Sequence, residues 1–445
     1  MRTPVRPRHL SVAVVLALVA CGDDPAAVEL AVAFEGVPTA GVAGGEAVSG
    51  LAVVVTDQRA RPVADVGLTL TATGGGVVAP TTLVTGADGR ATFTWTPGVL
   101  PIVNTLRAAD ADGRAAAEAT LDVTTAAALA PEAFGDVDAF LSGQRVAGST
   151  EDLAFDPRPG GRGLVAGADT MLIALDPSGA VTPIATTGEA FGRVLGLAFD
   201  HDGRLYVADG GRDMLLRVDV DGAVSMVADR DGDEPFASPN DVAVGPDGTV
   251  YLSDTCTGKF LAIDPATGAV TSRVTLDPAT DGGPNGVVVG PAGALWVTTE
   301  NTALFCGHDV GLTTALGGLY RVPVLDGGAL GQVQPVARGV GVFGDGLAFD
   351  GLGNLYVIFD TVVELALDET IVFVLPSGGT ALTRVASARG KVWANLAFAP
   401  DAYGSTTMYL ALLAVPPFTP ADARGIERVR VDVPGAPLPP SSAGP

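Results

Sequence analysis

From residue 150 onward the chain repeats one pattern of apolar and polar positions six times. A short apolar run leads into a turn bearing Asp or Gly, and a second apolar run follows. The units read EDLAFDPRPGGRGLVAG from Glu151, LGLAFDHDGRLYVAD from Leu195, NDVAVGPDGTVYLSD from Asn240, NGVVVGPAGALWVTT from Asn285, DGLAFDGLGNLYVIF from Asp345, and ANLAFAP with MYLAL from Ala394. Their starts lie 44, 45, 45, 60 and 49 residues apart. A period of that length holding several short strands predicts the blades of a β-propeller. The first run is apolar at nearly every position, as an innermost strand (a) covered on both faces must be. The second unit shows all four strands, as LAF, LYVAD, LLRVDVDG and AVSMVAD. The Asp-x-x-Gly turn supplies the positive φ that a tight a–b hairpin needs. The sixth unit runs out after GIERVRVD. Its outer strand is expected from the segment ahead of the first unit, around Phe134–Val146, so that both chain ends share one blade and no sheet edge is left open.

Residues 28–125 alternate differently, with strands predicted at Gly50–Val55, Val66–Thr71, Thr81–Thr85 and Ala91–Trp95 and a turn at Ala87-Asp88-Gly89. The string VTDQRARPVADVGLTLTATGGG…LVTGADGRATFTWTPG resembles bacterial immunoglobulin-like domains of the invasin type. That resemblance implies a stalk or spacer without catalytic chemistry. The fold class is therefore all-β: a six-bladed β-propeller over 134–436, preceded by an immunoglobulin-like β-sandwich over 28–125 and an alanine-rich linker at 126–133. A Pro/Ser-rich tail occupies 437–445.

Ahead of the sandwich, Arg2, Arg6 and Arg8 precede the apolar run Leu10–Val19 and then Leu18-Val19-Ala20-Cys21. The apolar core is about half of the ~20 residues needed to span a bilayer, so residues 1–21 read as an export signal. The tetrad resembles the bacterial lipobox, which implies lipidation of Cys21. Gly22 in the next position resembles, by the enteric sorting rule, a lipoprotein of the outer membrane, facing the periplasm or the surface. Cys256 and Cys306 remain as a pair in an oxidising compartment. A net charge of −24 with no basic stripe argues against nucleic acid as a partner.

The first residue of each unit carries the candidate chemistry. Inner strands of a propeller run along its axis, so Glu151, Leu195, Asn240, Asn285, Asp345 and Ala394 form a ring at one mouth of the channel. Four of the six bear side-chain oxygen. Two carboxylates and two amides balance one divalent ion, and an oxygen-only set without His or Cys favours Ca²⁺ over Zn²⁺. Asn, Asp and Glu also favour the turn that precedes a strand. Four of them in register point beyond turn preference, to a metal site.

The ordered series Glu…Asn…Asn…Asp, with SPNDVAVGPDG, GPNGVVVGPAG and GDGLAFDGLG, resembles the senescence-marker-protein/gluconolactonase family. Diisopropyl fluorophosphatases and paraoxonases are its structural relatives, and NHL-type propellers carry similar strings. The resemblance implies a divalent cation on Glu151, Asn240, Asn285 and Asp345, with Asn240 also facing substrate and Asp345 as general base or nucleophile. The family's Glu-Gly-Pro is Glu151-Asp152-Leu153 here, and its aromatic-rich strand after PND is VYLSD.

Loops joining strands b and c lie on the same face as this ring. Long insertions are expected there at Asn301–Leu316, Asp360–Thr370 and Val415–Arg424. Cys256 and Cys306 fall in b–c loops of adjacent blades, where a bridge between them is sterically reasonable. It would hold His308 over the pocket as a substrate-binding or proton-transfer group, whereas His201 sits in an a–b turn of the opposite face. Two functions follow from this reading. One is a lipid-anchored, metal-dependent hydrolase of lactones or related esters. The other is a non-catalytic propeller whose ion stiffens a surface that binds a ligand or a protein.

Overall fold

A computed structural model describes residues 29–436 apart from 39, 44–46, 99, 101, 114, 126–128, 147–148, 312, 364–365, 415–418 and 421–423, together with Val14–Val15. The chain divides into two compact units, Met1–Ala128 and Leu129–Pro445. Among the described residues no helix is long and apolar enough to cross a membrane.

The first unit is built from two sheets. One orders Leu30–Glu35, Val48–Asp57, Arg90–Thr96 and Val77–Ala79. The other places Ala116–Thr125, Val103–Asp110, Gly67–Ala72 and Thr82–Val84 side by side. Arg90–Thr96 and Val103–Asp110 bury alternate residues, so each sheet turns one apolar face to the other. Trp95, Leu51, Leu106 and Leu121 are fully buried in the resulting common core. Each of the four strands expected from the sequence is present within two residues of its expected bounds.

The second unit is a six-bladed β-propeller. Blade 1 contains Thr150–Phe155, Leu164–Ala168, Met171–Leu175 and Val181–Pro183 as strands a to d; blade 2 contains Val194–Phe199, Leu205–Asp209, Met214–Val218 and Ala223–Ala228. Blade 3 follows with Pro239–Val244, Val250–Asp254, Lys259–Ile263 and Val270–Thr275, and blade 4 with Gly283–Val289, Leu295–Glu300, Gly317–Val322 and Gln334–Gly341. Blade 5 is Phe343–Phe349, Leu355–Val363, Ala366–Leu375 and Thr383–Ala388. Every residue of strand b is buried in blades 1, 2 and 3, because neighbouring blades cover both of its faces. The apolar cores accordingly lie between blades: Val165 and Leu172 of blade 1 join Val207 and Leu216 of blade 2, and the scheme continues around the ring.

Blade 6 has Val392–Phe398, Thr407–Leu413 and Gly425–Arg430 as strands a, b and c, and its fourth strand is Glu132–Ala133. Closure thus joins both ends of the domain, but through residues placed in the linker at 126–133 from the sequence. The segment expected to supply that strand contains instead the helix Val137–Gln144, capped by the Asp136 carboxylate, which accepts from the Ala139 amide. Arg424 ties the helix to blade 6, donating to Asp138 at 2.7 Å and to the carbonyl of Val146. Phe134 packs edge-on against Tyr409 at the seam.

Candidate functional site

In every blade the pairing of strands a and b slips at one place. The register shifts between Thr150 and Leu153, Val194 and Gly196, Pro239 and Val242, Pro284 and Val287, Gly344 and Leu347, and Trp393 and Leu396. Glu151, Leu195, Asn240, Asn285, Asp345 and Ala394 all fall inside this repeated bulge. They therefore sit within the inner strands and not in a turn ahead of them. A bulge takes a residue out of the ladder and re-aims its side chain. Six equivalent bulges make a ring of re-aimed side chains, and Glu151, Leu195, Asn240, Asn285 and Asp345 line one cavity of about 860 Å³.

The residue after each ring position forms a second layer, which the sequence reading did not recognise. Asp241 accepts from the Val242 amide of its own bulge and from the Val287 amide of blade 4, both at 2.7 Å. Asp152 makes the same pair of contacts with Leu153 and with Leu197 of blade 2. Glycine stands where blade 2 approaches Asp241: a Cβ on Gly196 would lie 2.5 Å from the Asp241 Cα. Burial raises Asp152 well above the usual carboxylate range, with Asp241 adding repulsion, and burial also raises Asp241, to about 7. These two acids fasten inner strands together.

Two further acids of the cavity were also missed. Glu300 and Asp360 end one residue beyond the repeat's shared Leu-Tyr-Val-x-Asp pattern, in strands b of blades 4 and 5. Glu300 pairs across to Phe343, and Phe343 pairs in turn with Asp360. The three thus form one row across the sheet, and all three line the cavity. Burial pushes Glu300 up to about 8, helped by Glu151 and opposed by the amide of Asn285. Asp360 is raised to about 7, again by burial, with the Thr370 hydroxyl opposing the shift. Its Oδ1 is buried and has no hydrogen-bond partner among the described residues.

Asp345 is 9% exposed, and burial raises it well above the ordinary carboxylate value, with Glu151, Asp360 and Glu300 adding repulsion. Glu151 is raised by burial too, but Arg193 counteracts this, with its Nη2 3.3 Å from Oε2. Among the described residues no three His, Cys, Asp or Glu side chains come together closely enough to hold a metal ion. The ring is a different donor set, of two carboxylates and two amides. Its all-oxygen character, its burial and its surplus of negative charge fit a hard cation that keeps water in its shell.

Cys256 and Cys306 are joined by a disulfide and border the cavity. The bridge holds the short helix Ala303–Cys306, whose Leu304 and Phe305 form part of the wall. His308 is not among the lining residues; its Nδ1 lies 2.8 Å from the Thr302 hydroxyl within its own loop. The insertion expected at Asp360–Thr370 is an extension of the b–c hairpin, which places Val362 and Leu367 on the cavity wall. Cys21 and most of the insertion at Val415–Arg424 lie outside the described residues.

A family model described as a repeat of unknown function, DUF6923, matches residues 163–339, from strand b of blade 1 into strand d of blade 4. No curated protein matches the chain. Among solved structures, a gluconolactonase from Xanthomonas campestris is similar at 18% identity and a TM-score of 0.47, over 64% of this chain and 86% of that one. Virginiamycin B lyase from Staphylococcus aureus is similar at 10% identity and 0.42, over 68% and 98%. An auxiliary nutrient binding protein from Bacteroides ovatus is similar at 12% identity and 0.43, over 90% and 97%. At that distance none of their functions transfers to this chain.

Proposed function

We propose that this chain is a divalent-cation-dependent hydrolase of lactones or related esters, exported and held at the bacterial outer membrane by lipid on Cys21. The observation that carries the reading is the repeated bulge, which delivers Glu151, Asn240, Asn285 and Asp345 from four blades to one cavity. These four residues would hold the cation, with Ca²⁺ the best match to their oxygen donors. When bound, such an ion polarises an ester carbonyl and acidifies an attacking water.

The chain's own residues supply the rest. Asp345, buried and with no hydrogen bond to its carboxylate among the described residues, is the group free to take a proton from the nucleophile. The Asn240 amide orients the substrate from the neighbouring face. Leu195, Leu304 and Phe305 exclude water around the scissile bond. A second reading is a non-catalytic ligand-binding propeller, favoured by the Arg193–Glu151 ion pair, which already neutralises one ring carboxylate.

One experiment separates the two. The full chain is assayed on a panel of lactones, aryl esters and phosphotriesters, with chelator and with Ca²⁺ restored, beside Asp345→Asn and Glu151→Gln. Hydrolysis that chelation abolishes, that Ca²⁺ restores, and that Asp345→Asn lowers by about 10²–10⁴-fold supports catalysis. Hydrolysis absent, or indifferent to chelator and to both substitutions, leaves only the binding protein.

A further inference from the structure

The row Glu300–Phe343–Asp360 is unused by the reaction proposed above. Adjacent strands lie about 4.8 Å apart, so the backbones of Glu300 and Asp360 stand roughly 10 Å from each other with Phe343 between them. Residues opposite one another in antiparallel strands project from the same face, and here that face is the cavity. The Phe343 ring is in turn met by the Phe305 ring, at 5.9 Å between centroids. Two carboxylates therefore flank an aromatic side chain in a cavity also lined by Leu304, Val362 and Leu367.

We infer that this row is a recognition site for an organic ammonium ion, and that the cavity's substrate or ligand is an amphipathic primary or secondary amine. The inference deepens the reading of the cavity as the binding site and rests on it. A hard metal ion needs six or more oxygens gathered around one point, which carboxylates spaced across three strands do not offer. An ammonium needs only one or two acceptors and a π face, and it is attracted to Phe as well as to carboxylate. The second, independent observation is the buried Oδ1 of Asp360, an acceptor without a donor, in a residue only 2% exposed. An N–H-bearing cation provides both the missing donor and the missing charge. The apolar body of such a ligand would lie on Phe305, Val362 and Leu367.

The test is calorimetric binding of 2-phenylethylamine against its neutral counterpart 2-phenylethanol, to the full chain in the presence of chelator, so that neither turnover nor the cation ring enters. The amine is expected to bind at least ten-fold more tightly than the alcohol, and Asp360→Asn and Glu300→Gln are each expected to erase most of that preference. Glu151→Gln should leave it in place. Equal affinity for amine and alcohol in the unsubstituted protein overturns the proposal without touching the hydrolase reading, which the lactone assay decides separately. Loss of amine binding on addition of Ca²⁺, together with loss in Glu151→Gln, also overturns it, because the charge would then belong to the cation ring.

Discussion

The Asp241 carboxylate of blade 3 accepts the Val287 amide of blade 4 at 2.7 Å while also accepting the amide of Val242 beside it. One side chain thus closes its own bulge and fastens the next blade to it. Replacing Asp241 by Ala strands two buried N–H groups, each costing about 1–3 kcal/mol. Asp241→Ala is expected to lower the urea midpoint of the propeller clearly, and Asp241→Asn, which keeps one acceptor oxygen, to lower it less. An unchanged midpoint in Asp241→Ala would show that the bulges stand without this bridge.

The glycine beside that carboxylate makes a companion test. At Gly196 an added methyl would meet the Asp241 backbone, which cannot move without opening the ring. Gly196→Ala is therefore expected to destabilise by about 1–3 kcal/mol, the usual cost of overpacking. Ala at Gly143, whose Cβ position is open space and whose backbone is not left-handed, serves as the control. A Gly196→Ala chain as stable as that control would remove the close approach from the account.

What the sequence shows of this fold follows from where its signals are local. Strands a and b are apolar runs broken by a turn bearing Asp or Gly, so the six blades are readable one by one, as are the four strands expected in the first unit. The bulges are not, because a register slip belongs to two strands at once and leaves no mark in either. Glu300 and Asp360 escaped for a related reason: the repeat has its shared acid at Asp209 and Asp254, and in blades 4 and 5 strand b runs one residue further before its carboxylate. The helix Val137–Gln144 did have a signal, the Asp136 cap before Val137, Phe140 and Leu141, but the demand for a closing strand outweighed it. His308 was drawn to the pocket by its loop, whereas the Thr302 hydroxyl holds its ring within that loop.

Asp254 gives a pH dependence whose sign can be worked out. It accepts from the Ala237 amide and the Thr257 hydroxyl, yet burial raises it to about 7. A carboxyl that is raised in the folded chain holds its proton more tightly there than when unfolded. Its contribution is fully present below about pH 4 and is lost as pH rises toward 7, with a limiting slope of about 1.4 kcal/mol per pH unit. Asp254→Asn cannot titrate. The stability of the unsubstituted chain relative to Asp254→Asn should therefore fall between pH 4.5 and pH 7.5 in parallel denaturations. A difference that grows with pH in that range would reverse the assignment.

The Cys256–Cys306 bridge closes a separation of 50 residues and fixes the helix bearing Leu304 and Phe305. Bridges of this span contribute about 2–4 kcal/mol, through the chain entropy they remove. Reduction, or the double substitution to Ser, is expected to accelerate proteolytic cleavage within residues 303–316 while cleavage elsewhere in the propeller changes less. Mass spectrometry of the fragments reads this directly. Uniform acceleration across all blades would mean that the bridge stabilises the whole ring and not this wall of the cavity.

Arg193 is the counter-charge the ring already has. Its guanidinium lies 3.3 Å from Glu151 and is half exposed, so the pair is worth about 0.2–1 kcal/mol. Any cation drawn to Glu151 competes with that guanidinium. Arg193→Gln keeps a polar side chain, removes the competitor and makes the cavity one charge more negative. Ca²⁺ affinity measured by calorimetry at low ionic strength is therefore expected to rise about three- to ten-fold, with the gain shrinking in 0.5 M KCl as screening shortens to a few ångströms. Were Arg193→Gln to weaken Ca²⁺ binding instead, Glu151 would need its arginine in order to be placed, and the ring could not act as the cation site in the way its charges imply.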